Sequence, residues 1–195
     1  MKAVTLSEIK NIAEYEAIRQ DFRSRVIAEK ERRRLTVGAV FTFLFENHLT
    51  VLYQVQEMIR TERIVKEAAI QFEIETYNEL IPESGSLGAT LLIEFTDPEE
   101  RAVELVRLVG IENHIKLVVG ALPPIPGRLD DRQMNDKKIS SVQYILFPLE
   151  DGHLREWKAA GEAGKISIEV DHPHYTHQMT MPPTMVEALA GDLGL

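Results

Sequence analysis

Apolar and polar residues recur along this chain with two different periods, and the changes of period mark its elements. Tyr15, Ile18, Phe22 and Val26 are spaced three and four apart, which predicts one helical face running to about Arg33. Two capping boxes precede it, Thr5-Leu-Ser-Glu8 and Asn11-Ile-Ala-Glu14. In each, an N-cap oxygen and a carboxylate three residues on satisfy amides that the first turn leaves open. From Leu35 through Val37, Ala39, Phe41 and Phe43 to Phe45 the period becomes two, predicting a single buried strand. Asn47 or Thr50 then caps a second long helix with the seam Val51, Val55, Met58, Glu62, Val65 and Ala69. Ile70, Ile74, Tyr77 and Ile81 continue as a shorter helix that stops at Pro82.

The second half reads as strands with fewer helices between them. Leu87 to Phe95 alternate as a strand, and Asp97-Pro98-Glu99-Glu100 supplies an N-cap, a first-turn proline and acids at the positive helix end. Residues 111–119 alternate again, whereas 120–138 are irregular and proline-rich. Residues 140–148 predict a strand, Leu154 and Trp157 a short helix, and Ile166, Ile168 and Val170 a further strand with 175–181 beside it. Pro182-Pro183 opens a C-terminal helix carrying Met185, Val186 and Leu189. Strands do not alternate strictly with helices, which disfavours a parallel doubly wound sheet. The expected fold is α+β: one domain over 1–195, with a mixed or mostly antiparallel sheet of five or six strands covered by the long N-terminal helices. Within it, 1–81 is expected to be mostly helical with one strand, and 82–195 to form the sheet and the C-terminal helix.

Composition narrows the chemistry. The 195 residues suit one domain, and 22 Lys and Arg against 31 Asp and Glu give a net charge of −9. The absence of Cys excludes disulfides, thiolate zinc sites, Cys-ligated iron–sulfur clusters and Cys nucleophiles within the chain. No apolar run approaches the roughly 18 residues of a membrane span, and the first residues lack the apolar core of a signal peptide, so a cytoplasmic location is expected. Residues 71–105 hold nine acidic residues and one basic one, whereas 1–34 hold nine basic and six acidic residues. The Arg32-Arg33-Arg34 triplet reads as a solvated helix face, with a phosphate or anion contact as the alternative. An acidic chain without interleaved basic and aromatic residues argues against nucleic acid. Glycine-rich phosphate loops, G-x-S-x-G and H-E-x-x-H are all absent.

Two groups of polar residues stand out. Glu62 interrupts an apolar seam, and a buried carboxylate needs a cation, a metal or donors. An ion pair with Arg19, Arg23 or Arg25 is one reading; a pocket acid or metal ligand, and a seam against a partner, are the others. The Gln54, Glu57 and Arg60 face of the same helix reads as solvated or as an interface. The segment Asp171-His172-Pro173-His174-Tyr175-Thr176-His177 offers imidazoles for zinc or iron, weakly, or a polar loop with incidental histidines. His114 reads as a satisfied sheet histidine.

Several stretches closely resemble the bacterial domain-of-unknown-function family numbered 3501. They are Arg33-Arg34-Leu35-Thr36-Val37-Gly38, Phe45-Glu46-Asn47 and the run from Thr50 to Ile64, then Tyr77-Asn78, Leu80-Ile81-Pro82 and Asp97 to Arg101. Asn135-Asp136, Ser140-Ser141-Val142 and Val170-Asp171-His172-Pro173 extend the likeness over nearly the whole chain. The resemblance carries no established activity. It implies a setting beside rubrerythrin-like and iron–sulfur electron-transfer proteins, in peroxide defence or a redox relay. His174 and His177 depart from the family pattern, and Gln143 stands where that pattern has a His.

Together these readings give an accessory or binding protein acting with rubrerythrin-like and iron–sulfur partners. One alternative is an enzyme or a metal- or anion-binding protein with a Glu/Arg/His pocket; another is a structural module that forms homo-oligomers. The candidate residues are Glu46, Gln54, Gln56, Glu57, Arg60, Glu62, Arg63, Tyr77, Asn78, His114, Asp171 and His172. No cofactor is predicted outright, and iron or zinc at His172, His174 and His177 is the weak alternative.

Overall fold

The computed structural model describes residues 1–130 and 137–195; the Asn135-Asp136 stretch of the resemblance lies outside them. A single helical turn at Leu6–Glu8 and helix α1 (Ile12–Glu31) both start at the expected capping boxes. The strand expected over 35–45 is instead a hairpin, β1 (Arg34–Val37) and β2 (Phe41–Phe45). Its register places Leu35 opposite Phe43 and Val37 opposite Phe41. Every such pair joins two odd-numbered residues, so the apolar alternation runs through the turn without a phase change and hides it. Gly38 makes the turn at φ +68°, and a Cβ there would collide with the Tyr175 hydroxyl and the His177 ring.

Helix α2 (His48–Thr61) is capped by Asn47, whose side chain accepts from the Thr50 amide, and α3 (Glu67–Asn78) follows. The remaining elements among the described residues are β3 (Ser86–Ile93), α4 (Pro98–Arg107), a second single turn (Ile111–Asn113), β4 (Ile115–Val119), β5 (Ile125–Pro126), β6 (Arg128–Leu129), β7 (Val142–Pro148), α5 (Asp151–Glu162), β8 (Ile166–His172), β9 (Tyr175–Thr180) and α6 (Pro183–Leu193). Among the described residues every strand pair is antiparallel. They fall into two sheets, β1-β2-β3-β7-β6 and β5-β4-β8-β9, so the fold is α+β with the strands shared between a five-stranded and a four-stranded sheet.

The inner faces of the sheets share one core. Phe41, Phe43, Phe45, Leu91 and Phe147 belong to the same buried cluster as Leu117, Ile168, Trp157 and Leu189. Tyr175 pins β9 to the hairpin turn: its hydroxyl accepts from the amides of Val40 and Phe41, donates to the Val37 carbonyl at 2.6 Å, and its ring stacks on Phe41. The N-terminal helices keep a smaller core of their own around Val4, Val51, Val55, Ile59 and Ile74. They meet the outer face of the five-stranded sheet at Gly88, where a Cβ would lie 2.9 Å from the Leu80 carbonyl oxygen.

One buried cation joins the two parts. Arg33 is 2% exposed; its guanidinium pairs with Glu29 in α1 and with both carboxylate oxygens of Asp192 in α6. Its own carbonyl accepts from the Phe45 amide at 3.0 Å, and Glu29 also accepts from the Asn47 side chain at 2.8 Å. This part of the arginine triplet is therefore neither a solvated face nor an anion site.

The seam on α2 also differs from expectation. The helix ends at Thr61, with Glu62 as the C-cap and Arg63 left-handed at φ 53°. The Ile64 amide bonds back to the Ile59 carbonyl at 2.9 Å, which closes a Schellman-type end. Glu62 is exposed, because the helical period that placed it on the seam has already stopped.

Two substitutions test these joints. Asp192→Ala leaves the buried guanidinium of Arg33 half-paired, and an expected loss of about 3–5 kcal/mol follows. Arg63→Gly removes a side chain from a left-handed position and is expected to gain about 0.5–1 kcal/mol. Urea denaturation of each variant checks both, and a neutral Asp192→Ala contradicts the first.

Candidate functional site

A cleft of about 650 Å³ opens between α3 and the outer face of the five-stranded sheet. The sheet supplies Gly88, Ala89, Arg128, Leu129, Tyr144, Ile145 and Leu146, α3 supplies Glu73, Thr76 and Tyr77, and Met58 of α2 adds to the walls with Glu79, Leu80, Pro82 and Asp130. Glu46 also lines it, one residue beyond β2 and one before the N-cap of α2. A second depression of about 300 Å³, bounded by Tyr53, Gln54, Glu57, Met58, Thr61, Glu62 and Tyr77, shares Met58 and Tyr77 with the first.

Glu46 is the chemically unusual group. It is only 3% exposed, yet makes no ion pair among the described residues. Its oxygens accept from the Thr50 hydroxyl at 2.5 Å, the Thr90 hydroxyl at 2.6 Å and the Gln54 amide at 3.1 Å. A carboxylate offers about four acceptor sites, so three donors leave one open. Burial raises the phenols of Tyr77 and Tyr144 above their usual pKa, reinforced by Glu73 near Tyr77 and by Glu46 and Asp130 near Tyr144.

The other candidates serve the fold or stand apart. Gln56 is buried and clasps the Lys10 backbone, accepting from its amide at 3.0 Å and donating to its carbonyl at 2.9 Å. Asn78 does the same for Val4, at 2.8 and 2.9 Å. The ion pair expected of Glu62 belongs to Glu57. Glu57 accepts from Arg19 at 2.8 and 2.9 Å and from the Tyr15 hydroxyl at 2.6 Å, with Arg60 at 3.6 Å. Glu57 and Arg60 thus engage α1, Arg60 reaching on to Glu16 at 3.2 Å, whereas Gln54 turns towards Glu46.

The histidines form a separate group. His114 Nδ1 lies 3.0 Å from Asp171, which also holds Lys116. Lys116 and then His114 keep the Asp171 carboxyl below its usual range. His172 is buried; its Nδ1 accepts from the His174 amide at 3.2 Å, so its Nε2 carries the proton donated to the Val109 carbonyl at 3.3 Å. Burial lowers its pKa, consistent with a neutral ring. His177 packs instead against Tyr175. Among the described residues no three His, Asp or Glu side chains converge in a way that could hold a metal ion. Neither depression includes His114, His172 or Arg63, so the single Glu/Arg/His pocket does not assemble.

Sequence reasoning missed Thr90, Tyr144, Glu73 and Arg128. Thr90 and Tyr144 sit at even-numbered positions of alternating strands, which marks them as outer-face residues, but nothing local shows that they share a cleft with Glu46.

Glu57 generates a pH prediction. Arg19 holds its carboxyl below the usual 4.5 against the opposing effect of burial, with Tyr15 assisting. A folded pKa below the unfolded one contributes stability above about pH 4.5 that is lost as pH falls through that range. Glu57→Gln should therefore cost about 1–2 kcal/mol at pH 7 and progressively less towards pH 3. Thermal melts of both proteins across that range check it; a difference that stays constant or widens contradicts it.

No curated protein matches the chain. A crystal structure of a novel protein of unknown function from Burkholderia pseudomallei K96243 is similar at a TM-score of 0.89 and 35% sequence identity, covering 98% of this chain and 100% of that one. The family model described as "Protein of unknown function (DUF3501)" matches residues 3–193, nearly the whole length. The chain belongs to the DUF3501 family.

Proposed function

We propose that this protein is a binding protein that holds a small molecule in the cleft beneath α3, and that it acts as an accessory to other proteins. The observation that carries the reading is Glu46, a buried carboxylate facing a cleft whose donors among the described residues are all neutral. A purely structural acid at such a depth is ordinarily ion-paired, as Glu29 is here by Arg33. The cleft volume falls within the range of about 300–1,000 Å³ that small-molecule sites occupy. Apolar walls with a few convergent polar groups are likewise typical of such sites. Service to rubrerythrin-like and iron–sulfur partners belongs to the same proposal. The family resemblance supports it, and so does the lack of Cys, which places any cluster-borne electron on a partner.

Thr76 lies on the exposed wall of the cleft, and among the described residues its side chain bonds only to the Phe72 carbonyl of its own helix. Thr76→Trp should therefore fill the cleft without disturbing either core. Wild type and variant are each passed through a metabolite extract, desalted and denatured, and the released small molecules compared by mass spectrometry. The wild type is expected to enrich at least one species about tenfold over the variant. Identical profiles would overturn the reading.

A further inference from the structure

The sheet register fixes what lies at the two ends of the cleft floor. The Glu46 amide donates to the Gly88 carbonyl at 2.9 Å, extending the β2–β3 pairing by one residue. Gly88 pairs with Leu146, and Leu146 pairs with Arg128. The row Glu46, Gly88, Leu146, Arg128 therefore crosses four adjacent strand lines, and all four residues line the cleft. Three strand intervals of about 4.8 Å separate the Cα positions of Glu46 and Arg128 by roughly 14 Å. Between a carboxylate and a guanidinium lie one residue without a side chain and one apolar side chain.

Among the described residues, no side chain neutralises either charged end. Glu46 accepts only from two hydroxyls and an amide, and Arg128 makes no ion pair among the described residues. Tyr77 and Tyr144 add aromatic faces, and ring faces attract cations. Tyr144 lies near Glu46, and burial raises its phenol with Glu46 reinforcing the shift.

We propose that the cleft takes a zwitterion, with an ammonium or guanidinium head at Glu46, an anionic end at Arg128 and a short apolar stem over Gly88 and Leu146. This rests on the cleft-binding reading and names its ligand class. Guanidinium and carboxylate form a geometrically matched, charge-assisted pair at one end. At the other, a cation supplies Glu46 with the counter-charge that no described residue provides. The separation of the two charges favours a ligand whose own charges stand several bonds apart over an α-amino acid's adjacent pair.

The test uses four linear probes of one length, 5-aminopentanoate, pentylamine, pentanoate and pentanol, titrated calorimetrically into the full chain. The expected order is 5-aminopentanoate tightest, pentylamine weaker, and the other two weaker still. Glu46→Gln is expected to weaken both amines about tenfold. The exposed Arg128→Gln variant, whose folding is not at issue, should reduce 5-aminopentanoate to the affinity of pentylamine and leave pentylamine unchanged. Pentanoate or pentanol binding as well as 5-aminopentanoate would overturn the zwitterion, as would an unchanged preference in Arg128→Gln or no binding by any probe. If the Thr76-sensitive capture from extract persists in those cases, only the ligand class falls; if it is lost too, the cleft reading falls with it.

Discussion

The buried guanidinium of Arg33 is the constraint on which the arrangement depends. It sits where α1 hands over to the first strand, and it holds α6 from the far end of the chain through Asp192. Desolvating one cation and two carboxylates is costly, so the network is stabilising only while every member stays paired. Its reach extends to the cleft. The Arg33 carbonyl holds the Phe45 amide, Glu29 holds the Asn47 side chain, and Glu46 is the residue between them. The network that joins the helical part to the sheets thus also fixes the backbone on both sides of the cleft's carboxylate.

From that point the site follows from how strands and helices share a surface. The inner face of the five-stranded sheet is filled by phenylalanines and aliphatic residues and belongs to the main core. Its outer face is only partly covered, because α2 and α3 bury most of their apolar surface against each other and the N-terminal segment. The uncovered strip carries Glu46, Gly88, Leu146 and Arg128 in one row. Gly88 does two jobs there: it lets Leu80 approach the sheet closely, and it leaves the middle of the cleft floor flat.

Much of this was legible in the sequence, and the exceptions have identifiable causes. The caps at Thr5, Asn11, Asn47 and Asp97 rest on local hydrogen bonds and are where spacing places them. The hairpin turn was hidden because its register pairs odd residues with odd. Glu62 looked anomalous only because periodicity cannot see that a helix has ended; Arg63 closes it in a left-handed conformation more often taken by glycine. The arginine triplet gave no hint that its middle member is buried, since the partner Asp192 lies 159 positions away. Glu46 and Tyr77, marked by the resemblance, line the cleft, and Gln54, marked also by the polar face of α2, lines the adjoining depression. Arg128 and Tyr144 could not be joined to them without the strand register, which is a long-range property.

The proposed role of Glu46 and Arg128 is to hold one small molecule between them. A crystal structure of the protein grown with 5-aminopentanoate tests it most directly. The amine nitrogen is expected within about 3 Å of a Glu46 carboxylate oxygen and the ligand carboxylate on the Arg128 guanidinium, with the stem over Gly88. A cleft occupied only by water at saturating ligand, or a ligand bound with its carboxylate towards Glu46, would contradict it.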